Sequence, residues 1–400
     1  VTNGGGRRRC QSWIEAFIEH TDNLETAPIF RKWIAISAIA AVLEQKVWLH
    51  TSAEMYPNLY IFLVGRAGIG KTRGIMAASR ILHQVPDMFF APTSMTMASL
   101  VDSMTESKRF LPRLPEAPFE YNTLYIMADE LSAFMHEYET ELIGGLTTFY
   151  DCVPYAQRRR GKDIHIKILH PQLNILCGTT PSNLIKFVPE IAWEQGFMSR
   201  TIMVYSNDNP MVDDFQAARK MSEHLVHDIK IINSIAGQFT TDPEYRSAIG
   251  NWRAGNEAPV PTHPKLLHYN TRRRTHLYKL SMVSSADRGD NLKLSLDDFN
   301  RALGWLREAE VLMPEIFRIG SPGADAKVMD EIHHFLIVAC TNVEAISEHR
   351  LTRFASERIP MTAVKSAIEV MQASGRIRSV RVDPKTGLRM FAPVVDKSAT

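Results

Sequence analysis

Apolar residues recur at helical spacing over Ser12–His20 and over Ile29–Gln45, with few breakers, and predict two helices at the start of the chain. The pattern then changes character. Pro57 introduces Asn58-Leu-Tyr-Ile-Phe-Leu-Val64, an apolar run rich in β-formers, which is how a strand buried on both faces reads. Helical spacing returns over Lys71–Leu82. Short apolar runs predict further strands at Met88–Ala91, Leu124–Ala128, Leu173–Cys177 and Thr201–Tyr205. Tyr155–Ile168 predicts a hairpin with Gly161-Lys162-Asp163 near its tip, and Leu111–Pro118, with its three prolines, predicts a loop. Apolar strands alternating with helices imply an α/β fold with a largely parallel sheet.

Beyond Asp208 the spacing is helical over Asp213–Ile235, Pro243–Ala254, Thr271–Ala286 and Leu296–Met313, with a Pro-bearing linker at Arg253–Pro264. Gly320-Ser-Pro-Gly323 is the strongest boundary signal in the chain. After it come three predicted helices, Ala326–Cys340, Ser347–Arg358 and Met361–Ser374. Two strand-like pieces follow, Ile377–Val382 and Leu388–Pro393, around Asp383-Pro-Lys-Thr-Gly387. That order reads as a winged helix. The expected organisation is a tail and helical lead-in over 1–53, an α/β core over 54–208, a helical region over 209–320 and a winged helix over 321–400.

Composition adds bounds. A chain of 400 residues exceeds one compact core, and 45% hydrophobic with 22% charged residues is ordinary for globular protein. The net charge is only +2, so a nucleic-acid surface has to be a local patch. Cys10, Cys152, Cys177 and Cys340 lie far apart, which argues against a zinc site or a disulfide scaffold and fits a reducing cytoplasm. The longest apolar run, Trp33–Leu43, is too short to span a bilayer, so no membrane partner is expected. Val1–Arg9 holds three arginines with no adjoining apolar stretch and reads as a flexible tail rather than a signal peptide. His333-His334 lacks partners at ligand spacing, and Met95, Met97 and Met104 read as helix packing.

The chemistry concentrates where the first strand meets its helix. Gly65-Arg-Ala-Gly68-Ile-Gly70-Lys71-Thr72 matches G-x-x-x-x-G-K-[ST]. The glycines let backbone N–H groups turn toward phosphates, and the following helix presents its positive end there. Lys71 can bridge β- and γ-phosphates, and the Thr72 hydroxyl can hold Mg²⁺. Asp129 ends the apolar run Leu124–Ala128 and Glu130 follows it. Asp129 is placed to hold the shell of the Mg²⁺, and Glu130 to polarise the attacking water. A third apolar run, Leu173–Cys177, leads to Thr180, with Asn183 as a nearby substitute. It resembles the sensor-1 strand of AAA+ ATPases, which lies between the other two.

Basic residues suggest further roles. Ser199-Arg200 before Thr201–Tyr205 resembles the arginine-finger segment of minichromosome-maintenance helicases, which implies a neighbour's γ-phosphate as the target of Arg200. Arg272-Arg273-Arg274 opens a helix where a sensor-2 arginine is expected, and Arg272 is the favoured position. Arg158, Arg159, Arg160 and Lys162 crowd the hairpin turn, where charge and reach suffice for phosphate contact. From Ser347 to Phe391 nine basic residues face four acidic ones, a local +5 that leaves the remainder at −3. Lys365, Arg378, Arg381 and Lys385 are the DNA candidates there, and the scarcity of base-reading groups on Met361–Ser374 points to non-specific contact.

The order of these parts resembles the P-loop ATPases of phages and plasmids that accompany or fuse with primases, which are similar to ring-forming AAA+ helicases. The resemblance covers Trp13–Met313. It implies a P-loop NTPase core of AAA+/ASCE type, a helical lid, and a hexameric ring with ATP and Mg²⁺ at subunit borders. It also implies single-stranded DNA in the channel, duplex DNA at the winged helix, a primase or replisome partner, and a place in the cytoplasm of a bacterial host. The leading expectation is an ATP-driven DNA translocase or helicase. The alternatives are a non-unwinding AAA+ regulator, such as a helicase loader or transposition target selector, and a signalling or defence ATPase whose winged helix binds protein.

Overall fold

The computed structural model describes residues 7–92, 94–112, 117–133, 135, 140–159, 164–189, 192–193, 196–212, 222–320, 322–341, 343–356, 361–382 and 389–394. The chain divides into two compact units, Val1–Phe317 and Arg318–Thr400. No helix among the described residues is long and apolar enough to cross a membrane.

The first unit is a mixed α/β structure. Helix α1 (Trp13–His20) starts where the Ser12 hydroxyl accepts from the Glu15 N–H at 3.2 Å, a side-chain N-cap. Helix α2 (Pro28–Leu43) is apolar almost all round, and it is buried along nearly its whole length against α1 and the main sheet. A short strand pair, β1 (Val47–His50) and β2 (Glu54–Met55), leads to β3 (Tyr60–Val64) and α3 (Lys71–Leu82). Then come α4 (Met97–Glu106), β4 (Lys108–Leu111), β5 (Phe119–Ala128), α5 (Thr140–Tyr150) and the hairpin β6 (Tyr155–Arg159) with β7 (Ile164–Ile168). Strand β8 (Pro171–Thr179), helix α6 (Pro181–Phe187) and strand β9 (Thr201–Tyr205) complete the core.

The main sheet runs β4-β5-β8-β3-β9. Its inner strands are parallel and β4 pairs antiparallel with β5. Strands β3, β8 and β9 are buried at every position, which explains why they read as unbroken apolar runs. Register decides the rest. Val64 pairs with Thr179 and Ala128 with Cys177, so the residues that follow β3, β8 and β5 emerge together at one edge. Met88–Ala91 is not a full strand. It contributes one parallel bridge, Phe90 to Tyr125.

The helical expectation after Asp208 holds in outline, with α7 (Glu223–Asn233), α8 (Pro243–Ala254), α9 (Leu267–Arg288) and α10 (Leu296–Gly320). Residues 213–221 of the first predicted helix lie outside the described residues. Strands β10 (Gly237–Thr241) and β11 (Lys293–Leu294) were not expected. They join β1 and β2 in a second sheet ordered β11-β10-β1-β2. Of the flexible tail expected over Val1–Arg9, residues 1–6 lie outside the described residues, and Arg8 and Arg9 are held in place. The Arg8 guanidinium donates to the Ala286 carbonyl at 2.7 Å, and the Asp228 carboxylate accepts from the N–H groups of Arg9 and Cys10.

The second unit holds α11 (Pro322–Ala339), β12 (Ile346–Ser347), α12 (Glu348–Ser356), α13 (Met361–Ala373), β13 (Ile377–Val382) and β14 (Arg389–Pro393). Its sheet is antiparallel and ordered β12-β14-β13, over a core that includes Leu336, Leu351, Ile368, Met371 and Phe391.

Candidate active site

Strand β3 stops at Val64, and the Gly65 N–H bonds the Thr179 carbonyl at 3.1 Å. The loop then curls back to α3. Gly70 has φ +72 and its backbone lies against Glu25, where a Cβ would stand 1.7 Å from the Glu25 carbonyl oxygen. No other residue type fits both the dihedral and the contact. The Thr26 hydroxyl donates to the Gly70 carbonyl at 2.7 Å and fixes the same turn. No side chain caps α3, so the N–H groups of its first turn remain for a ligand.

The loop borders a cavity of about 380 Å³ lined by Gly68, Gly70, Lys71, Thr72, Asp129, Glu130 and Thr180, with Glu25 and Arg73 also on its wall. Sequence alone brought the first seven to one place. Glu25 and Arg73 pair with each other; Arg73 follows Thr72 on α3, whereas Glu25 carried no signal, because only the tertiary approach of the α1–α2 loop brings it in. Lys71 is 7% exposed and donates to the carbonyls of Gly65 and Arg66, both at 2.8 Å. Burial draws its ammonium below the ordinary lysine range, and the nearby Glu130 carboxylate opposes that shift. Glu130 Oε1 accepts from Asn183 Nδ2 at 3.1 Å and from the Thr179 hydroxyl at 3.4 Å. Thr180, expected as the sensor with Asn183 as its substitute, lines the cavity, and its hydroxyl accepts from the Asn183 N–H at 3.2 Å to cap α6. Of Thr180 and Asn183, it is Asn183 whose side chain bonds the carboxylate, beside Thr179.

Arg200 and Arg272 lie elsewhere. Arg200 immediately precedes β9, which pairs in parallel with β3, so it sits at the opposite edge of the sheet, roughly 16 Å of strand from the loop. It is 7% exposed, ion-paired with Asp151, and donates Nη1 to the Gly196 carbonyl at 2.8 Å. Arg272 Nη1 is 3.5 Å from the same Asp151 carboxylate. Arg272, expected as the sensor-2 arginine, thus lies with Arg200 at the end of the sheet away from the cavity of its own subunit. Arg273 is buried on Glu310, with Nε to Oε1 at 2.7 Å.

Asn58 anchors this far edge. Its amide donates to the Tyr150 carbonyl at 2.9 Å and the Leu173 carbonyl at 3.2 Å, and its oxygen accepts from Lys279 Nζ at 2.6 Å. One buried side chain thus ties α5, β8 and α9 together. His276 on α9 donates Nε2 to the Ser199 carbonyl at 3.0 Å. Burial, aided by Lys279, Arg272 and Arg200, holds its imidazole neutral, with a pKa lowered to about 3. The folded state therefore binds fewer protons than the unfolded chain below the ordinary histidine value. Stability contributed by neutral His276 is lost as pH falls from about 6.5 toward 3, by up to about 1.4 kcal/mol per pH unit. Thermal melts from pH 7 to pH 5 should show a smaller loss for His276→Gln than for the wild type. Parallel curves would remove His276 as the source.

Among the basic candidates, Arg158 is exposed on β6, Lys365 on α13 and Arg378 on β13. Arg159 lies in β6 and Arg381 in β13, with their side chains outside the described residues, as are Arg160, Lys162 and Lys385 entirely. No protein-family model matches the chain, and no curated protein matches it.

Proposed function

We propose that the chain is an ATP-hydrolysing DNA translocase or helicase of phage or mobile-element replication, built as an AAA+-type P-loop core over 54–208, a helical lid over 209–320 and a winged helix over 321–400. The observation that carries this reading is the convergence at one sheet edge. Lys71 and Thr72 from α3 and Asp129 and Glu130 from the turn after β5 line a cavity of about 380 Å³ there, and Asn183 from α6 bonds Glu130.

In this reading a triphosphate takes the place of the Gly65 and Arg66 carbonyls as the partner of Lys71, and the N–H groups of α3 hold the same oxygens. Thr72 and Asp129 are oxygen donors of the kind Mg²⁺ accepts, and both line the cavity. Bound Mg²⁺ would neutralise charge on the β- and γ-phosphates. Glu130, oriented by Asn183, takes the proton of the attacking water. Arg200 cannot reach the cavity of its own subunit, so any action on nucleotide is on a neighbour's, which requires a homo-oligomer, proposed as a hexameric ring. The exposed face of the β6–β7 hairpin would follow single-stranded DNA, and the winged helix would contact duplex DNA or a primase or replisome partner, all in the host cytoplasm.

Phosphate release measured with and without single-stranded DNA tests the reading. Turnover should rise with DNA, and particle images with a slowly hydrolysed analogue should show rings whose channel is lined by the hairpins. Absence of Mg²⁺-dependent hydrolysis under both conditions would end it. DNA-stimulated turnover without strand displacement would favour the non-unwinding regulator.

A further inference from the structure

We propose that Asp151 is a positioning residue: it holds Arg200 within its own subunit, and movement of the β6–β7 hairpin decides when Arg200 is released to a neighbour's phosphates. This rests on the reading above in which Arg200 serves an adjoining site.

Three segments meet on the Asp151 carboxylate. It follows α5 directly, Arg200 comes from the turn before β9, and Arg272 comes from α9. Arg200 engages both carboxylate oxygens, with Nε to Oδ1 at 3.2 Å and Nη2 on Oδ2. The Arg200 guanidinium also stands over the Tyr150 ring, 5.9 Å from its centroid, and the Lys279 ammonium is 4.4 Å from the same centroid. Lys279 itself bonds only neutral oxygens in the described contacts, those of Tyr56 and Asn58. Three cations thus gather around one carboxylate, and an arriving phosphate would meet unneutralised positive charge there.

The exposure is uneven. The Arg200 side chain is 8% exposed, whereas those of Asp151 and Arg272 are 32% and 33% exposed. An anion can therefore approach from the Asp151 side. Carboxylate and phosphate are both bidentate acceptors for a guanidinium, so the exchange trades one charge-assisted pair for another and leaves no buried cation unpaired. Gly196 shapes the seat. It has φ +90, its carbonyl accepts from Arg200, and a Cβ there would stand 2.7 Å from Nη1.

The hairpin connects to the same point. Arg158 pairs across the strands with His165, and Ala156 with Lys167, so Arg158, His165 and Lys167 share one exposed basic face. On the opposite face Tyr155 packs edge-on against Phe149, with centroids 5.3 Å apart. Phe149 and Tyr150 close α5, and Asp151 is the next residue. Between Asp151 and β6 lie only Cys152, at φ +54, and two further residues. A displacement of the hairpin by bound DNA is thus passed to Asp151 through both the chain and the Tyr155–Phe149 contact, while Arg200 stays fixed to β9.

The test measures ATP turnover by the full chain with and without single-stranded DNA, together with the KM for ATP. Asp151→Asn should raise DNA-free turnover about fivefold or more and bring the stimulation ratio toward one, because the unreleased population is lost. The KM for ATP should stay within about twofold of wild type, since Asp151 is remote from the cavity. Asp151→Glu, which keeps the charge, should restore most of the ratio. Should Asp151→Asn fail to fold, Tyr155→Ala decides, because it cuts the packing link: DNA binding persists and the stimulation ratio falls. Wild-type turnover stimulated by DNA, with the ratio unchanged in Asp151→Asn or in Tyr155→Ala, overturns this proposal alone. A wild-type chain that hydrolyses no ATP overturns the nucleotide reading and this proposal with it.

Discussion

Lys71→Ala should lower ATP affinity by about a hundredfold or more and abolish measurable turnover, since truncating one partner of a buried charge pair typically costs 2–5 kcal/mol. Lys71 is 7% exposed at the start of α3 and its ammonium donates to the Gly65 and Arg66 carbonyls at 2.8 Å, so it is already aimed into the loop. Lys71 itself lines the cavity, so water can enter the space it vacates and reach those carbonyls. The loss in fold stability should therefore be small, about 1 kcal/mol, and binding and folding can be told apart in one experiment. Titration with a fluorescent ATP analogue gives the affinity, and a thermal melt of the same sample gives the stability. Retained affinity would remove the phosphate-cradle assignment, and with it the proposal that this loop drives anything.

The residues of that cavity were legible to different degrees, for physical reasons. Asp129 and Glu130 directly follow β5, and Lys71 and Thr72 follow β3 after one glycine-rich loop; β3 is buried at every position and β5 at most of its positions, and such burial writes an apolar run that marks the strand end. Parallel register then aligns those ends, which local sequence does not encode but which follows once the order β5-β8-β3 is adopted. Thr180 also lay at a strand end. Its hydroxyl also serves as a helix cap, and the side-chain contact with Glu130 comes from Asn183, the substitute one turn later. Glu25 reaches the cavity from a loop that precedes β3, and no spacing rule announces it.

The small sheet was illegible for another reason. β2 and β11 are two residues long, and β1 follows a helix whose apolar run obscures its start. Its parallel partner β10 lies some 190 residues away, Val47 pairing with Gly237. The Asp151 junction shares this character. Arg200 and Arg272 stand out as basic residues, but the carboxylate joining them sits in a turn with no motif. Their common location is a property of the folded chain.

Glu130→Gln should leave ATP bound while stopping its hydrolysis, with turnover falling by about 10² to 10⁴, the range lost with a general base. Among the described residues both hydrogen bonds to this side chain fall on Oε1, from Asn183 and Thr179, and Oε2 is the oxygen proposed to receive a proton from water. Glutamine keeps the shape and still accepts from Asn183, so the cavity wall should be preserved and only the basicity lost. Equal affinity with unchanged phosphate release would exclude Glu130 as the base. The same variant separates a shared site from a private one. Glu130→Gln subunits keep Arg200, and Arg200→Ala subunits keep Glu130, so each supplies what the other lacks. In a ring with head-to-tail contacts, random equal mixing creates an intact border at about one junction in four. Turnover should then rise above that of either variant alone toward about a quarter of the wild-type rate. A mixture no faster than its two parents would mean that Arg200 stays with Asp151 throughout the cycle and acts on no neighbour.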